Sequence, residues 1–90
     1  MKYIMLESPG GHSGPILFGG VFSHADVASM VLSKYPGIEI ASAGFVDLAP
    51  APPEAYPNRY KATVYGESQG LKLKALPEDA PLIESALSRN

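Results

Sequence analysis

The sequence predicts an α+β fold: a single small domain with a mostly antiparallel sheet of four to five strands and two helices on one face. The chain of 90 residues can bury one modest core but not two. Short apolar runs alternate as strands do, whereas two segments have helical spacing and helix-capping residues. The predicted order is strand, strand, helix, strand, strand, strand, helix (ββαβββα), with residues 1–90 forming one domain.

Composition narrows the functional classes. Hydrophobic residues make up 46% and charged residues 18% of the chain, which is typical of globular domains. A formal net charge of −2 gives no general attraction to duplex nucleic acid or to an anionic membrane. The absence of cysteine excludes disulfides and thiolate catalysis and fits a cytoplasmic location. No apolar run approaches the roughly 20 residues of a membrane span, and Glu7 and Pro9 interrupt any signal-peptide pattern.

The first two predicted strands enclose a glycine-rich loop. Residues 2–7 have apolar side chains on both sides, which predicts a central strand, and residues 16–19 form a second, short strand. Between them, Ser8–Pro15 contains three glycines and two prolines, so this segment is expected to be a loop. Such a loop can direct backbone N–H groups at a ligand. The candidate ligand-binding residues in it are Gly10, Gly11, His12, Ser13 and Gly14.

The first helix is predicted from its capping residues. Ser23 can cap it, and Asp26 three residues later completes a variant of the capping box. An apolar stripe extends from Val27 to Tyr35, and Pro36-Gly37 ends the helix. His24 lies next to the cap, where solvent exposure or a local hydrogen bond is the expected state, so it is not included in the predicted site.

The rest of the chain is predicted to contain a long strand, a loop and a last helix. Small residues occupy the middle of the strand Ile38–Leu48, where they allow a helix or a ligand to approach closely. Four prolines make residues 49–58 a Pro-rich loop, either a connection across the domain or a ligand motif. Pro77 and Pro81 suit the first turn of the last helix. Its apolar face comprises Leu82, Ile83, Ala86 and Leu87.

A hairpin is predicted from two alternating segments, residues 59–65 and 71–75. Their apolar residues share one face if Glu67–Gly70 forms a four-residue loop, which places Val64 opposite Leu73. The other face then gathers the remaining candidate ligand-binding residues, Arg59, Lys61, Tyr65, Lys72 and Lys74. Positive charge beside a tyrosine suits an anionic ligand such as a nucleotide. The alternative is that these lysines are simply solvated and discourage edge-to-edge aggregation.

No catalytic signature is present. The serines lie outside a Gly-x-Ser-x-Gly motif, the glycine loop is not followed by the lysine of a phosphate-binding loop, and no His-x-x-x-His pair occurs. We therefore predict a non-enzymatic protein with no catalytic residue, no metal site and no cofactor. A small enzyme using His12 is the lesser alternative.

Three short motifs resemble a known group of proteins. They are Ser42-Ala43-Gly44-Phe45, Tyr65-Gly66-Glu67-Ser68 and the segment Pro77–Ile83. Over about residues 40–88 the chain is similar to a group of small uncharacterised bacteriophage and prophage proteins. The resemblance implies a viral protein that acts in the cytoplasm of a bacterial host. By analogy, small phage proteins of this size bind a host protein or capture a host signalling nucleotide.

The favoured functional hypothesis is a binding protein that captures a small anionic ligand, with a nucleotide signal as the favoured class, and so antagonises host defence by sequestration. The glycine loop and the basic hairpin face would each form half of the site. The alternative is a protein-interaction module that inhibits or adapts a host protein through the sheet face or the Pro-rich loop. A second copy covering the open face would make the protein a homo-oligomer.

Overall fold

The structure is a computed structural model, and it describes residues 1–88. Strands and helices follow in the order β1 (Lys2–Glu7), β2 (Ser13–Phe18), α1 (His24–Lys34), β3 (Glu39–Pro50), a 3₁₀ turn (Pro53–Ala55), β4 (Tyr60–Tyr65), β5 (Glu67–Ser68), β6 (Leu73–Lys74) and α2 (Asp79–Leu87). The α+β class and the ββαβββα order are confirmed, with the two-residue β5 added after β4.

The main sheet has the strand order β2-β1-β3-β4, and every neighbouring pair is antiparallel. The central position predicted for β1 is confirmed. The long strand β3 pairs with β1 through its first half and with β4 through its second half, from Phe45 opposite Tyr65 to Pro50 opposite Tyr60. The glycine-rich loop and β4 therefore belong to opposite edges of the sheet.

The two helices lie on opposite faces of the sheet, whereas the sequence predicts both on one face. Tyr3 and Met5 belong to the same buried cluster as Ile83 of α2, while Ile4 is buried with Val27 of α1. Successive side chains of a strand point to opposite faces, so each helix covers a different face of β1. Both faces of β1 have apolar side chains, so each face must be buried against another element. The open sheet face expected to bind a partner or a second copy is therefore occupied by a helix.

The predicted hairpin does not form with the predicted partner. β4 pairs along its whole length with β3, and the chain then turns at Gly66, which has φ +77°. Beyond that turn β5 pairs with β6, so Ser68 lies opposite Leu73, where the sequence predicts Val64. The predicted loop Glu67–Gly70 is therefore wrong, since Glu67 and Ser68 form β5 and the loop between β5 and β6 is Gln69–Lys72.

Local signals in the sequence are confirmed at both helices except at Pro77, which precedes α2 instead of lying in its first turn. The amide of Asp26 donates to Ser23 Oγ at 3.0 Å, and the amide of Ser23 donates to Asp26 Oδ2 at 3.3 Å, which is the capping box. Pro81 lies in the first turn of α2, where its missing N–H leaves no helical hydrogen bond unmade.

A buried carboxylate joins α2 to the sheet. Asp79 is 2% exposed, and its Oδ2 accepts hydrogen bonds from Tyr3 Oη at 2.5 Å, Ser42 Oγ at 2.7 Å and the Leu76 amide at 3.0 Å. Burial, and secondly the hydrogen bond to Asp79, raises the pKa of the Tyr3 phenol far above its usual range. Because Leu76 follows β6 closely, this network fixes the segment through which the β5–β6 hairpin leaves the sheet.

Candidate functional site

The glycine-rich loop is a closed turn with little to offer an anion. The turn itself spans Ser8–His12, since Ser13 and Gly14 are already part of β2. Its amides are used internally: Gly11 donates to the Ser8 carbonyl at 2.9 Å, Ser8 to the His12 carbonyl at 2.9 Å, and His12 to Ser8 Oγ at 3.3 Å. Of the amide donors that the sequence offers to a ligand, those of Gly11 and His12 therefore already have partners within the loop. Gly10 and His12 lie in this turn and are exposed.

Negative charge surrounds the same turn. Glu7 at the end of β1 pairs with Glu39 at the start of β3, and both are exposed. The two carboxylates line a shallow depression of about 350 Å³ together with Pro9 and Gly11 of the turn. Like charges directly opposite each other in a sheet repel, and a phosphate placed here would meet both.

The predicted basic cluster is divided between two places. Lys61 lies opposite Ala49, ten residues along β3 from Glu39, which is about 33 Å of strand away from the glycine-rich turn. Lys74 lies opposite Glu67 in the separate two-stranded sheet, whereas Lys61 lines a different depression with Ala51, Asn58 and Glu84. The structure therefore separates Lys61, and Arg59 beside it, from the lysines of the β5–β6 hairpin.

Two of the predicted residues do meet at one depression, of about 600 Å³, beside the β5–β6 hairpin. We call it the hairpin depression. Lys72 and Lys74 are both exposed in its wall, and the half-buried Leu73 and Leu76 give it an apolar part. The full lining is Ala41, Glu67, Ser68, Gln69, Lys72, Leu73, Lys74 and Leu76. The combination of two ammonium groups with apolar side chains suits a ligand that has an anionic end and an apolar body.

The backbone of Lys72 is in the left-handed region, at φ 57°. A residue with a Cβ pays about 1–2 kcal/mol for this conformation, which glycine adopts freely. The turn is held from within, since the Leu71 amide donates to Ser68 Oγ at 3.3 Å and Ser68 is buried. Lysine thus occupies a backbone conformation that glycine adopts more readily, in the wall of the hairpin depression.

A second depression, of about 440 Å³, also lies beside this hairpin. We call it the histidine depression, and its lining is Lys2, Ser23, His24, Ala25, Phe45, Glu67, Ser68, Gln69 and Gly70. It shares Glu67, Ser68 and Gln69 with the hairpin depression, so the two adjoin along these residues. Lys2 Nζ donates to the Phe22 carbonyl at 3.0 Å beside it.

His24 is held firmly in the wall of this second depression. Its side chain is 7% exposed, and Nε2 lies 2.8 Å from the carbonyl oxygen of Gly44. The ring meets Phe18 and Phe45 edge to face, with centroids 5.6 and 5.5 Å apart. Phe45 in turn stacks on Tyr65 at 5.7 Å. Tyr65, which the sequence offers as a stacking residue for a ligand, thus already has a stacking partner on one side.

Sequence reasoning missed His24 and the residues that surround it. The sequence predicts exposure or a local hydrogen bond for His24, but the structure buries it against partners 20 and 21 positions away, Gly44 and Phe45. No local pattern in the sequence predicts contacts between residues that far apart. Lys2, Ser68 and Gln69 were missed for the same reason, since each reaches the site only through pairing of distant strands.

Comparison with known proteins gives no relative for this chain: no family model, no curated protein and no solved structure matches it.

Two properties of residues 1–88 bear on the site. They contain no group of three or more His, Cys, Asp or Glu side chains placed to hold a metal ion. Neither of their helices has the length and apolar character that crossing a bilayer requires.

Proposed function

We propose that this protein binds a small anionic ligand in the hairpin depression and acts by holding that ligand rather than by converting it. The observation that supports this function most is the convergence of Lys72 and Lys74 on one depression that also has apolar lining. Lysine binds phosphate as a point charge with three donors, which suits a phosphate at the end of a larger molecule. Glu67 in the same wall favours ligands that also present a hydrogen-bond donor.

A nucleotide is the ligand class that matches these walls best. Its phosphate would meet Lys72 and Lys74, and the C–H groups of its ribose would pack against Leu73 and Leu76. The resemblance to small phage proteins over residues 40–88 adds a setting, the cytoplasm of a bacterial host. In that setting we propose that capture of a nucleotide signal antagonises host defence by sequestration. The glycine-rich turn is not part of this proposed site.

Calorimetry tests this function with inorganic phosphate, ribose 5-phosphate and the ribonucleoside 5′-monophosphates, at low and at moderate salt. We expect binding that weakens with salt and falls at least tenfold in a Lys72→Gln/Lys74→Gln double variant. Lys61→Gln on β4 is the matched control, because it removes the same charge from the wall of a different depression. Equal affinity in the double variant and the control, or no binding of any probe, would overturn the proposal.

A second candidate function rests on the Pro-rich loop. Tyr56 is 87% exposed, and it lies beside the exposed Pro57. An exposed aromatic side chain among prolines suits docking of a host protein. Affinity capture from a bacterial lysate tests this candidate: one stoichiometric partner should be recovered, and Tyr56→Ser should lose it. The homo-oligomer stays a prediction, which light scattering of the purified protein tests directly.

A further inference from the structure

The hydrogen bond of His24 determines which ring nitrogen has the proton. A carbonyl oxygen can only accept, so the contact of 2.8 Å with the Gly44 oxygen requires an N–H on Nε2. In the neutral imidazole the other nitrogen, Nδ1, is then an acceptor with a free lone pair. The two edge-to-face contacts with Phe18 and Phe45 hold the ring in this orientation.

Nδ1 of His24 makes no hydrogen bond within residues 1–88, and it is not fully buried. Within residues 1–88, His24 makes its hydrogen bond through Nε2. No fully buried side-chain nitrogen or oxygen in that range lacks a partner. Nδ1 therefore belongs to the small exposed part of a side chain that is otherwise more than nine-tenths buried. His24 is one of the residues that line the histidine depression.

The histidine depression offers several acceptors beside one ammonium group, that of Lys2, which donates to the Phe22 carbonyl. Nδ1 of His24, the carboxylate of Glu67 and the amide oxygen of Gln69 all accept hydrogen bonds there. The positive end of α1 is already occupied by the Asp26 carboxylate of the capping box, so a phosphate is disfavoured at this end of the helix. Phe45 adds an aromatic wall.

We infer that the histidine depression binds the nucleobase of the nucleotide whose phosphate lies at Lys72 and Lys74. Nδ1 of His24 accepts a hydrogen bond from an amino or imino N–H of the base. The two depressions adjoin along Glu67–Gln69, so one molecule can contact both. This inference rests on the proposed function and adds base recognition to it.

Two replacements of His24 separate its two nitrogens. His24→Gln places an amide N–H near the position of Nε2, where it can still donate to the Gly44 carbonyl, but it offers nothing at Nδ1. His24→Asn places an amide group near the position of Nδ1, but it lacks a donor at the position of Nε2 for the Gly44 carbonyl. We expect His24→Gln to keep the fold, to bind inorganic phosphate as the wild type does, and to bind nucleoside 5′-monophosphates at least tenfold more weakly, near the affinity of ribose 5-phosphate.

Failure of this inference is distinguishable from failure of the proposed function. If ribose 5-phosphate binds the wild type as tightly as every nucleotide does, base recognition is overturned while anion binding stands. Full nucleotide affinity in a folded His24→Gln variant overturns it as well. If no phosphate compound binds, both proposals fall.

A spectroscopic measurement on the wild type covers the case in which the variants do not fold. Long-range ¹H–¹⁵N spectra of the imidazole should show His24 protonated on Nε2. The Nδ1 resonance should move on addition of a nucleoside 5′-monophosphate and stay in place with ribose 5-phosphate. A proton on Nδ1, or no movement of Nδ1 with any nucleotide, overturns the inference.

Discussion

The β1–β2 turn and the β5–β6 turn are both short and contain glycine, yet their surroundings are opposite in charge. In the first turn, Ser8–His12, the amides bond within the loop, and Glu7 and Glu39 lie beside it. The second turn, Gln69–Lys72, presents lysine and has a depression on each side. The composition of a turn therefore predicts that the chain bends there. The residues of the neighbouring strands determine the charge around the bend, and so which ligands can bind beside it.

Removal of the carboxylate beneath the second turn should have the largest effect. Asp79→Ala leaves the Tyr3 hydroxyl, the Ser42 hydroxyl and the Leu76 amide without their buried acceptor. We expect the free energy of unfolding to fall by about 3 kcal/mol or more. Urea denaturation measures this, with Glu78→Ala as the control, because the Glu78 side chain makes no capping hydrogen bond. Equal losses in the two variants would contradict the buried network.

Alanine substitutions at Gly11, in the first turn, and at Gly66, just before β5, compare the packing around these two glycines. Gly11 and Gly66 both have positive φ, but a Cβ at Gly11 meets nothing within 4 Å, whereas a Cβ at Gly66 comes 2.8 Å from the Phe45 ring. We expect Gly11→Ala to cost about 1 kcal/mol through backbone strain alone. Gly66→Ala should cost about 2–3 kcal/mol, because Phe45 is held between His24 and Tyr65. Thermal unfolding of the pair measures the difference, and equal costs would show that Phe45 can move aside.

Alkaline pH should weaken the network beneath the second turn. Burial raises the pKa of Tyr3 in the folded protein, whereas an unfolded tyrosine ionises near pH 10. Its contribution is therefore fully present below about pH 10, and above that pH stability falls by up to about 1.4 kcal/mol per pH unit. Denaturation curves from pH 8 to 11 should show a smaller loss in Tyr3→Phe than in the wild type. The exposed Tyr35→Phe is the control, and an unchanged slope in Tyr3→Phe would contradict the prediction.

Glycine at position 72 should separate stability from binding in the second turn. Lys72→Gly relieves the left-handed backbone and should raise the free energy of unfolding by about 1 kcal/mol while weakening anion binding. Lys72→Ala removes the same charge but keeps the strain, so it should weaken binding with no gain in stability. Urea denaturation and calorimetry on the two variants test both statements. A Lys72→Gly protein that is no more stable than Lys72→Ala would show that the turn imposes no strain.

The smallest effect is expected beside the first turn. Glu39→Gln removes one of two like charges that face each other across β1 and β3. We expect a gain of about 0.2–1 kcal/mol at low salt that shrinks as salt is added. Glu54→Gln, on the exposed 3₁₀ turn, is the charge-matched control. A gain that is equal in the control or insensitive to salt would rule out repulsion between the paired carboxylates.

Parity alone could not place the partner of β4. The alternation of residues 60–65 fits any neighbour that has the same alternation, and both β3 and residues 71–75 do. β3 offers six paired positions, including Val46 opposite Val64 and Leu48 opposite Ala62. That longer apolar contact outweighs the shorter loop of the predicted hairpin. Because β4 pairs with β3, the residues of the predicted basic cluster do not lie together. Of that cluster, Lys72 and Lys74 line the hairpin depression.

The sequence by itself determined the elements whose causes lie within a few residues of one another. The capping box of Ser23 and Asp26, the apolar strand β1 and the placement of Pro81 in a first helical turn are of this kind. Only the tertiary structure decided which faces the helices cover, which strand β4 joins and where His24 is buried. These outcomes depend on contacts between residues ten or more positions apart, selected by competition for burial that no local pattern records.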